Sequence, residues 1–520
     1  MSALALDVAA MRRFDPSEEV DVVVVGTGAG GAPVLAELAA AGLRAVALEA
    51  GPFFDPAAHT PDETEAVEIN WMSERLSGGA DPVAFGPNNS GRGVGGSTLH
   101  WGAFTPRPAA GQMRLRTETG MGRDWPFGFD ELLPHLLRAE RDLGVSGPAD
   151  YPWDPSRAYE YAPPGRNAAA ERMAAGCREL GIRATDAPAA VLTRDREQHG
   201  IPRQACIACG ACHQGCRTGS KATMGTTYLP AAIAAGAEIR ADAMVHTIET
   251  DAAGLVRAVV YRQGDIDVRQ RCRTLVLAGG GVETPRLLLA NDLANASGQV
   301  GRNFLAHPAT QVWGTFDTLQ RAYRGYPSAL ITEDFSAPAD ADFAGGYLIQ
   351  SLGVMPLTFA TSLVRGGGLW GRELMAALDA TSFTTGVGIN GECLPSAENA
   401  LTLTGEPDEY GLPRAEVTFS LGTNEKALIA HATDVMVRIL EAAGASETRV
   451  LQRTAHTLGT CRMSVDPDDG VVDADGRSHE IANLWIVDNS TFPSALAANP
   501  ALTQVALSLR TAEKLLAKAP

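Results

Sequence analysis

Four of the eight cysteines, Cys206, Cys209, Cys212 and Cys216, fall in one short run with the spacing C-x2-C-x2-C-x3-C. Thiolates so placed on a glycine-containing loop can wrap an iron–sulfur cluster, and bacterial ferredoxins use this spacing. In a reducing compartment the clustering points to metal rather than to disulfides. Arg217 follows the run where a ferredoxin has proline, and there is no second run. A single 4Fe-4S or 3Fe-4S cluster therefore stands beside two other readings, zinc on four thiolates and no metal. His213, inside the run, reads as a neighbour and not a ligand.

A second constellation lies near the start. Gly26, Gly28 and Gly31 form G-x-G-x-x-G directly after the apolar run Val20 to Val25. The first glycine permits a tight turn, the second lets the backbone approach a pyrophosphate, and the third lets helix and strand pack closely. Ala29 lies within the loop. Glu49 stands about 20 residues on, where an acid can accept from a ribose diol. The motif admits a dinucleotide without choosing between FAD and NAD.

These residues need a parallel sheet and a helix to present them. Val20 to Val25 reads as a buried strand, Ala32 to Ala41 as a helix ended by Gly42, and Leu43 to Leu48 as the next strand. Later strands are expected at Ala243 to Thr250, Val256 to Gln263, Thr274 to Ala278 and Asn483 to Val487. Helices are expected from Tyr228 to Ala235 and from Pro500 to about Lys518. Between about Asp317 and Arg449, glycine and aromatic residues interleave with short strands, as from Phe343 to Val354. This region reads as a sheet-rich layer over a site.

Composition narrows the function classes. Hydrophobic residues make up 45% and charged residues 20% of the 520, with a formal net charge of −18. So acidic a chain is a poor nucleic-acid binder; either the charge simply keeps the protein soluble, or long-range steering favours a cationic substrate or basic partner. No apolar run reaches the length of a membrane span. The N-terminal stretch does not read as a secretory signal, so the cytoplasm is the expected compartment.

Five separated segments carry a family resemblance: residues 93–101 (GVGGSTLHW), 279–287 (GGGVETPRL), 300–303 (VGRN), 456–463 (HTLGTCRM), and 484–493 (LWIVDNSTFP) with 498–503 (ANPALT). With the N-terminal glycines, they resemble the glucose–methanol–choline (GMC) oxidoreductases, in that family's order. The resemblance implies an α/β fold, with a doubly wound, Rossmann-like FAD-binding domain and an interwoven antiparallel-sheet substrate domain. The FAD domain is expected from residues 17–160, 217–316 and 450–520, the substrate domain from 317–449, and an inserted segment with the cysteine loop from 161–216. The implied reaction is hydride transfer from an alcohol carbon to flavin N5.

The same resemblance assigns roles. His456 matches the first member of the family's catalytic pair, and Asn499 occupies the second position, which is His or Asn. Asn499 can hydrogen-bond the alcohol oxygen but cannot take its proton, so His456 is the base of the pair; a histidine is largely neutral near pH 7. Asn499 and Pro500 also read as N-cap and first residue of a helix aimed at the flavin. Gly95, Gly96, Ser97, His100 and Trp101 line the flavin, with Val245 and Asp488 as further cofactor contacts. His100 sits where some members attach the flavin covalently. Some sugar-oxidising members carry an iron–sulfur cluster, which would pass electrons singly to a protein or quinone. An oxidase using O2 with structural cysteines, and a flavin redox carrier or sensor without turnover, are the competing readings. The substrate is expected to be a sugar, glycoside or polyol, an aminosugar suiting the acidic charge, with Trp370 and Tyr347 available to stack on sugar rings.

Overall fold

A computed structural model describes residues 2–56, 62–71, 75–84, 90–339 and 341–518. The N-terminal motif forms as its sequence dictates. Strand β1 (Glu19–Val25) runs into helix α1 (Gly31–Ala40) and then strand β2 (Ala45–Leu48), with β1 and β2 parallel. The valines of β1 are nearly all buried, as a strand covered on both faces requires. Strands β3 (Glu238–Arg240), β4 (Ala243–Thr250), β5 (Val256–Gln263), β6 (Ile266–Leu277) and β7 (Leu484–Ile486) complete a seven-stranded sheet. Its path is β3-β2-β1-β6-β5-β4, and β7 pairs in parallel with the end of β6. β4 and β5 are antiparallel, so this edge departs from a purely parallel sheet.

Two helices enter the sheet's carboxyl edge beside α1. Helix α2 (Gly280–Ala290) follows β6, and helix α3 (Pro500–Lys518) closes the chain, packing along α1. In open α/β sheets, ligands bind beyond the carboxyl ends of the strands. The expected C-terminal helix has the predicted bounds, and the strand expected from Thr274 to Ala278 is the end of the much longer β6.

The second layer is a six-stranded sheet built from distant segments. Its strands lie in the order Glu447–Leu451, Gln311–Thr315, Thr384–Gly391, Tyr347–Leu352, Leu330–Thr332 and Thr185–Asp186, each antiparallel to its neighbour. A two-stranded ladder, Leu305–Pro308 against Thr454–Leu458, lies at the junction with the first layer. Its register shifts between Leu305 and His307, which re-aims the side chains there. Among the described residues no helix is long and apolar enough to cross a membrane.

Two glycines of the first loop stand where no side chain fits. Gly26 has φ +101°, and a Cβ there would lie 2.4 Å from the Ala278 carbonyl oxygen. A Cβ on Gly31 would lie 2.0 Å from the Gly26 carbonyl oxygen, so the helix could not seat on the turn. We expect Gly31→Ala to destabilise the fold by about 1–3 kcal/mol. Gly165→Ala, where a Cβ meets nothing within 4 Å, should change stability by less than about 0.5 kcal/mol. Urea unfolding of the two variants checks this, and equal stabilities would refute the close-packing argument.

Candidate active site

One cavity of about 330 Å³ runs from the glycine loop to the junction of the two layers. It brings together most of the residues singled out in the sequence. Gly26, Gly28, Ala29, Glu49, Gly96, Ser97, His100, Trp101, Val245, His456, Asp488, Asn499 and Pro500 all line it. Gly31 and Gly95 stand behind this wall. Gly31 lies under the first turn of α1, and the N–H of Gly95 donates to the Thr27 hydroxyl at 3.1 Å.

At the glycine end the walls are latched by buried acids. Glu49 accepts from the Thr27 N–H and hydroxyl (3.0 and 2.7 Å) and from the N–H groups of Gly51 and Gly93 (both 3.2 Å). Its carboxylate thus ties β1, β2 and the 91–97 loop together besides facing the cavity. Burial raises its pKa, against these donors. Asp488 accepts from the Gly280 N–H (2.9 Å), the Thr284 hydroxyl (2.5 Å) and the Ser490 N–H (2.9 Å), joining β7 to α2. Helix α1 offers its N-terminal N–H groups at this end, which suits a pyrophosphate.

At the junction end two histidines fix each other's protons. His307 Nε2 is 2.8 Å from the carbonyl oxygen of Leu496, which can only accept, so this nitrogen carries the proton. His307 Nδ1 is then an acceptor, and His456 Nδ1 at 3.0 Å must donate to it. His456 Nε2 is left with its lone pair free and has no partner among the described residues. The rings meet edge to face, with centroids 4.9 Å apart. Burial lowers the pKa of His307 to about 4. Burial, then His307, then Arg453 hold that of His456 well below the ordinary histidine range. Both rings are therefore neutral near pH 7. His456 has φ +65°, a left-handed conformation uncommon outside glycine, which aims its ring across the ladder.

The carbonyl of Leu496 is itself positioned. Leu496 also has a left-handed φ of +63°. Its N–H and that of Ala495 donate to Glu392 Oε1 at 3.1 and 2.9 Å, and the Cys393 N–H adds a third bond at 3.1 Å. Glu392 is fully buried, and burial pushes its pKa up to about 8.

Asn499 lies at the start of α3, but its carboxamide oxygen does not cap the helix. It accepts from Asn390 Nδ2 at 2.9 Å, so the helix-cap reading of this side chain is corrected. The amide nitrogen of Asn499 is thereby left to donate to an oxygen in the cavity. His307, Asn390 and Glu392 had no place in the sequence reading. His307 follows the VGRN segment by only four residues and is one of ten histidines, which was the available signal. The other two reach the site only through sheet pairing.

His100 borders the cavity with its Nε2 buried and unpartnered among the described residues. Burial, then the Lys221 ammonium, lower its pKa to about 3. His213 Nδ1 lies 3.1 Å from the His100 carbonyl oxygen, and Lys221 Nζ donates to the carbonyls of Leu99, Trp101 and Cys212. The cysteine loop is thus fastened to the back of the cofactor wall.

Cys206, Cys209, Cys212 and Cys216 ring a separate cavity of about 20 Å³. Backbone N–H groups of Ala208 and Lys221 point at the sulfurs of Cys206 and Cys216, each at 3.4 Å, and the Ser220 hydroxyl lies 3.3 Å from Cys216. Burial opposes ionisation of Cys216, but these donors and Lys221 outweigh it and lower its pKa. Burial raises the pKa of Cys206 and Cys212. Among the described residues no three Cys, His, Asp or Glu side chains come together closely enough for a single metal ion. Neither the iron–sulfur nor the zinc reading of the four cysteines therefore has a formed ligand set among the described residues.

The expected aromatic platform is also corrected. Trp370 is 82% exposed and lies off the cavity. Tyr347 is buried elsewhere, stacked on Phe335, with its hydroxyl 2.7 Å from His431 Nδ1. Tyr347 opens the strand Tyr347–Leu352, where period-two alternation puts it on the face opposite Gln350 and Leu352, which line the cavity; Trp370 lies in the turn between the helices Pro356–Gly367 and Gly371–Asp379.

The chain matches two family models described as GMC oxidoreductase, over residues 88–309 and 395–508. It is 30% identical to a 2-methyl-1,2-propanediol dehydrogenase of Mycolicibacterium austroafricanum, over 96% of this chain and 95% of that protein. It is equally 30% identical to a fructose dehydrogenase large subunit of Gluconobacter japonicus, over 95% and 97%. Identity to a paromamine 6'-oxidase of Streptomyces fradiae is 29%, over 95% and 90%. Pyridoxine 4-oxidase from Mesorbium loti shares the fold, with a TM-score of 0.68 at 17% identity over 96% of this chain and all of that one. Two matched regions in order, near-full-length relatives and a shared fold agree on one assignment: this chain belongs to the GMC oxidoreductase family and is an oxidoreductase acting on alcohol groups.

Proposed function

We propose that the protein oxidises a hydroxyl of a sugar, glycoside or polyol to a carbonyl, with His456 as base and FAD as cofactor. The observation that carries this reading is the lone pair of His456 Nε2, left free by the His307 relay and facing the same cavity as Asn499 and the glycine loop. The cavity suits FAD: its glycine end accepts a pyrophosphate, and the orphaned His100 Nε2 borders it. FAD, when bound, supplies the acceptor for the hydride that leaves the alcohol carbon. Asn499 donates to the alcohol oxygen and orients it, and His456 Nε2 takes the hydroxyl proton. The imidazolium formed on His456 keeps its Nδ1–H bond to His307. The polar wall of Gln311, Ser328, Gln350, Thr358 and Ser362 fits a substrate with several hydroxyls.

The cysteine loop supports a second part of the proposal, that electrons leave for a protein or quinone acceptor. Four sulfurs ring one cavity on the back of the cofactor wall, with backbone N–H groups directed at two of them. A cluster spans wider sulfur separations than one ion, because its own sulfides bridge the irons. An iron–sulfur cluster, when bound, would carry electrons one at a time. His213 and Lys221 would hold that loop against residues 99–102.

Three outcomes are expected. His456→Ala should lower turnover by roughly 100-fold or more with flavin retained, and His307→Phe should approach the same loss because the ring could no longer be held in one tautomer. Full activity in either variant would sink the assigned role. Because the pKa of His456 is held below its ordinary value, its basic form persists as pH falls, so the acid limb of kcat/KM should lie clearly below pH 6.5; a limb at or above 6.5 contradicts the neutral-pair geometry. Anaerobically purified protein should contain iron and acid-labile sulfide, and its yellow colour should stay with the chain on denaturation if His100 is the tether. Absence of iron and sulfide removes the cluster, and complete release of FAD removes the covalent link.

A further inference from the structure

Among the described residues three acids line the cavity, and every one is occupied at the cofactor end. Glu49 and Asp488 are bound by the donors described above, and Glu283 is paired with Arg75 at 2.9 Å. At the opposite end, beside His456, stands one cation, Arg453. It immediately precedes the strand Thr454–Leu458, and its carbonyl is fixed by the Ala309 N–H at 3.0 Å. Its guanidinium makes no hydrogen bond or ion pair among the described residues. Gln350 Oε1, on the same wall, is buried and has no partner among the described residues.

Arg453 is half-buried where it lines the cavity, and a ligand that covered its guanidinium without bringing an anion would leave a charge costly to keep. Where such a charge faces a ligand cavity, the missing anion can arrive with the ligand. The planar fork of arginine suits a carboxylate in bidentate geometry, which lysine could not match. A phosphate dianion would bring more charge than one guanidinium neutralises, so a carboxylate fits better. The FAD pyrophosphate is met at the glycine end by α1 and cannot serve both places.

We infer that Arg453 is a specificity-determining residue that anchors a carboxylate on the alcohol substrate, which is therefore a hydroxylated organic acid. This rests on the reading of the cavity as an alcohol-oxidation site. Gln350 Oε1 supplies an acceptor for a further hydroxyl of the same molecule. An ammonium-bearing substrate would meet the guanidinium at close range, where it counts for more than screened surface charge. The acidic surface therefore does not decide the substrate's charge.

The test uses the flavin-loaded protein with glycerate and glycerol, which differ by a carboxylate in place of a CH2OH group. Perturbation of flavin absorbance reads binding, and anaerobic bleaching by the same compounds and by sugars reads turnover. Wild-type protein should bind glycerate roughly 10- to 100-fold more tightly than glycerol. In Arg453→Gln this ratio should collapse towards unity, and Arg453→Lys should fall between because it keeps the charge but loses the fork. Equal binding of the two compounds by wild type, no binding of glycerate, or an unchanged ratio in Arg453→Gln would overturn the inference. So would loss of flavin from Arg453→Gln together with an unchanged preference in Arg453→Lys. Failure of every alcohol to bleach the flavin would instead count against the alcohol-oxidation reading, so the two can fail separately.

Discussion

The candidate catalytic end of this protein hangs on one buried acid. Glu392 gathers the backbone N–H groups of Ala495 and Leu496 and holds Leu496 in a left-handed conformation. Only then does the Leu496 carbonyl face His307, and only that acceptor decides which nitrogen of His307 carries a proton. The decision passes through one more hydrogen bond to His456 and emerges as a free lone pair in the cavity. Burial keeps both rings neutral, so the chain of donors and acceptors has one consistent assignment. In the proposed role as base, a ring whose proton position is fixed in advance needs no reorganisation when substrate arrives.

The same segment, residues 484–504, serves three masters. β7 completes the nucleotide-binding sheet beside β6, Asp488 latches α2, and Asn499 reaches across to Asn390 in the second sheet. Because one stretch touches both layers, the cavity's two ends are held in register by covalent chain and not only by packing. Charge is divided along it accordingly. Acids and helix N-termini occupy the nucleotide end with all acids satisfied, while neutral histidines, amides and a single arginine occupy the reacting end. The four cysteines stand outside this cavity, but His213 of the same loop lines it, and Lys221 and His213 tie the loop to the wall.

The sequence carried much of this because several of its signals are local. A valine-rich strand, a glycine turn and an alanine-rich helix allow one arrangement in which glycines are sterically required, and the structure places Gly26 and Gly31 against carbonyl oxygens as that demands. His456, Asn499, His100 and the four cysteines were also legible, since each belongs to a short contiguous segment. Trp370 and Tyr347 were misplaced because aromatic content says nothing about which face of a sheet or helix a ring occupies. Asn499 does precede the helix that starts at Pro500, but the partner of its side chain was not legible because Asn390 is more than one hundred residues away.

By itself, then, the sequence determined the nucleotide-binding half and the family and picked out His456 and Asn499 as the candidate pair, because strand–turn–helix geometry and contiguous motifs are dictated by near neighbours. Only the tertiary structure decided the tautomer of His456, the partner of Asn499, the isolation of Arg453 and the meeting of the four cysteines round one small cavity. Those are matters of which distant atoms share a buried space. A lone pair, an unpaired charge or an occupied acceptor is defined by its surroundings, and the surroundings exist only once the chain has folded.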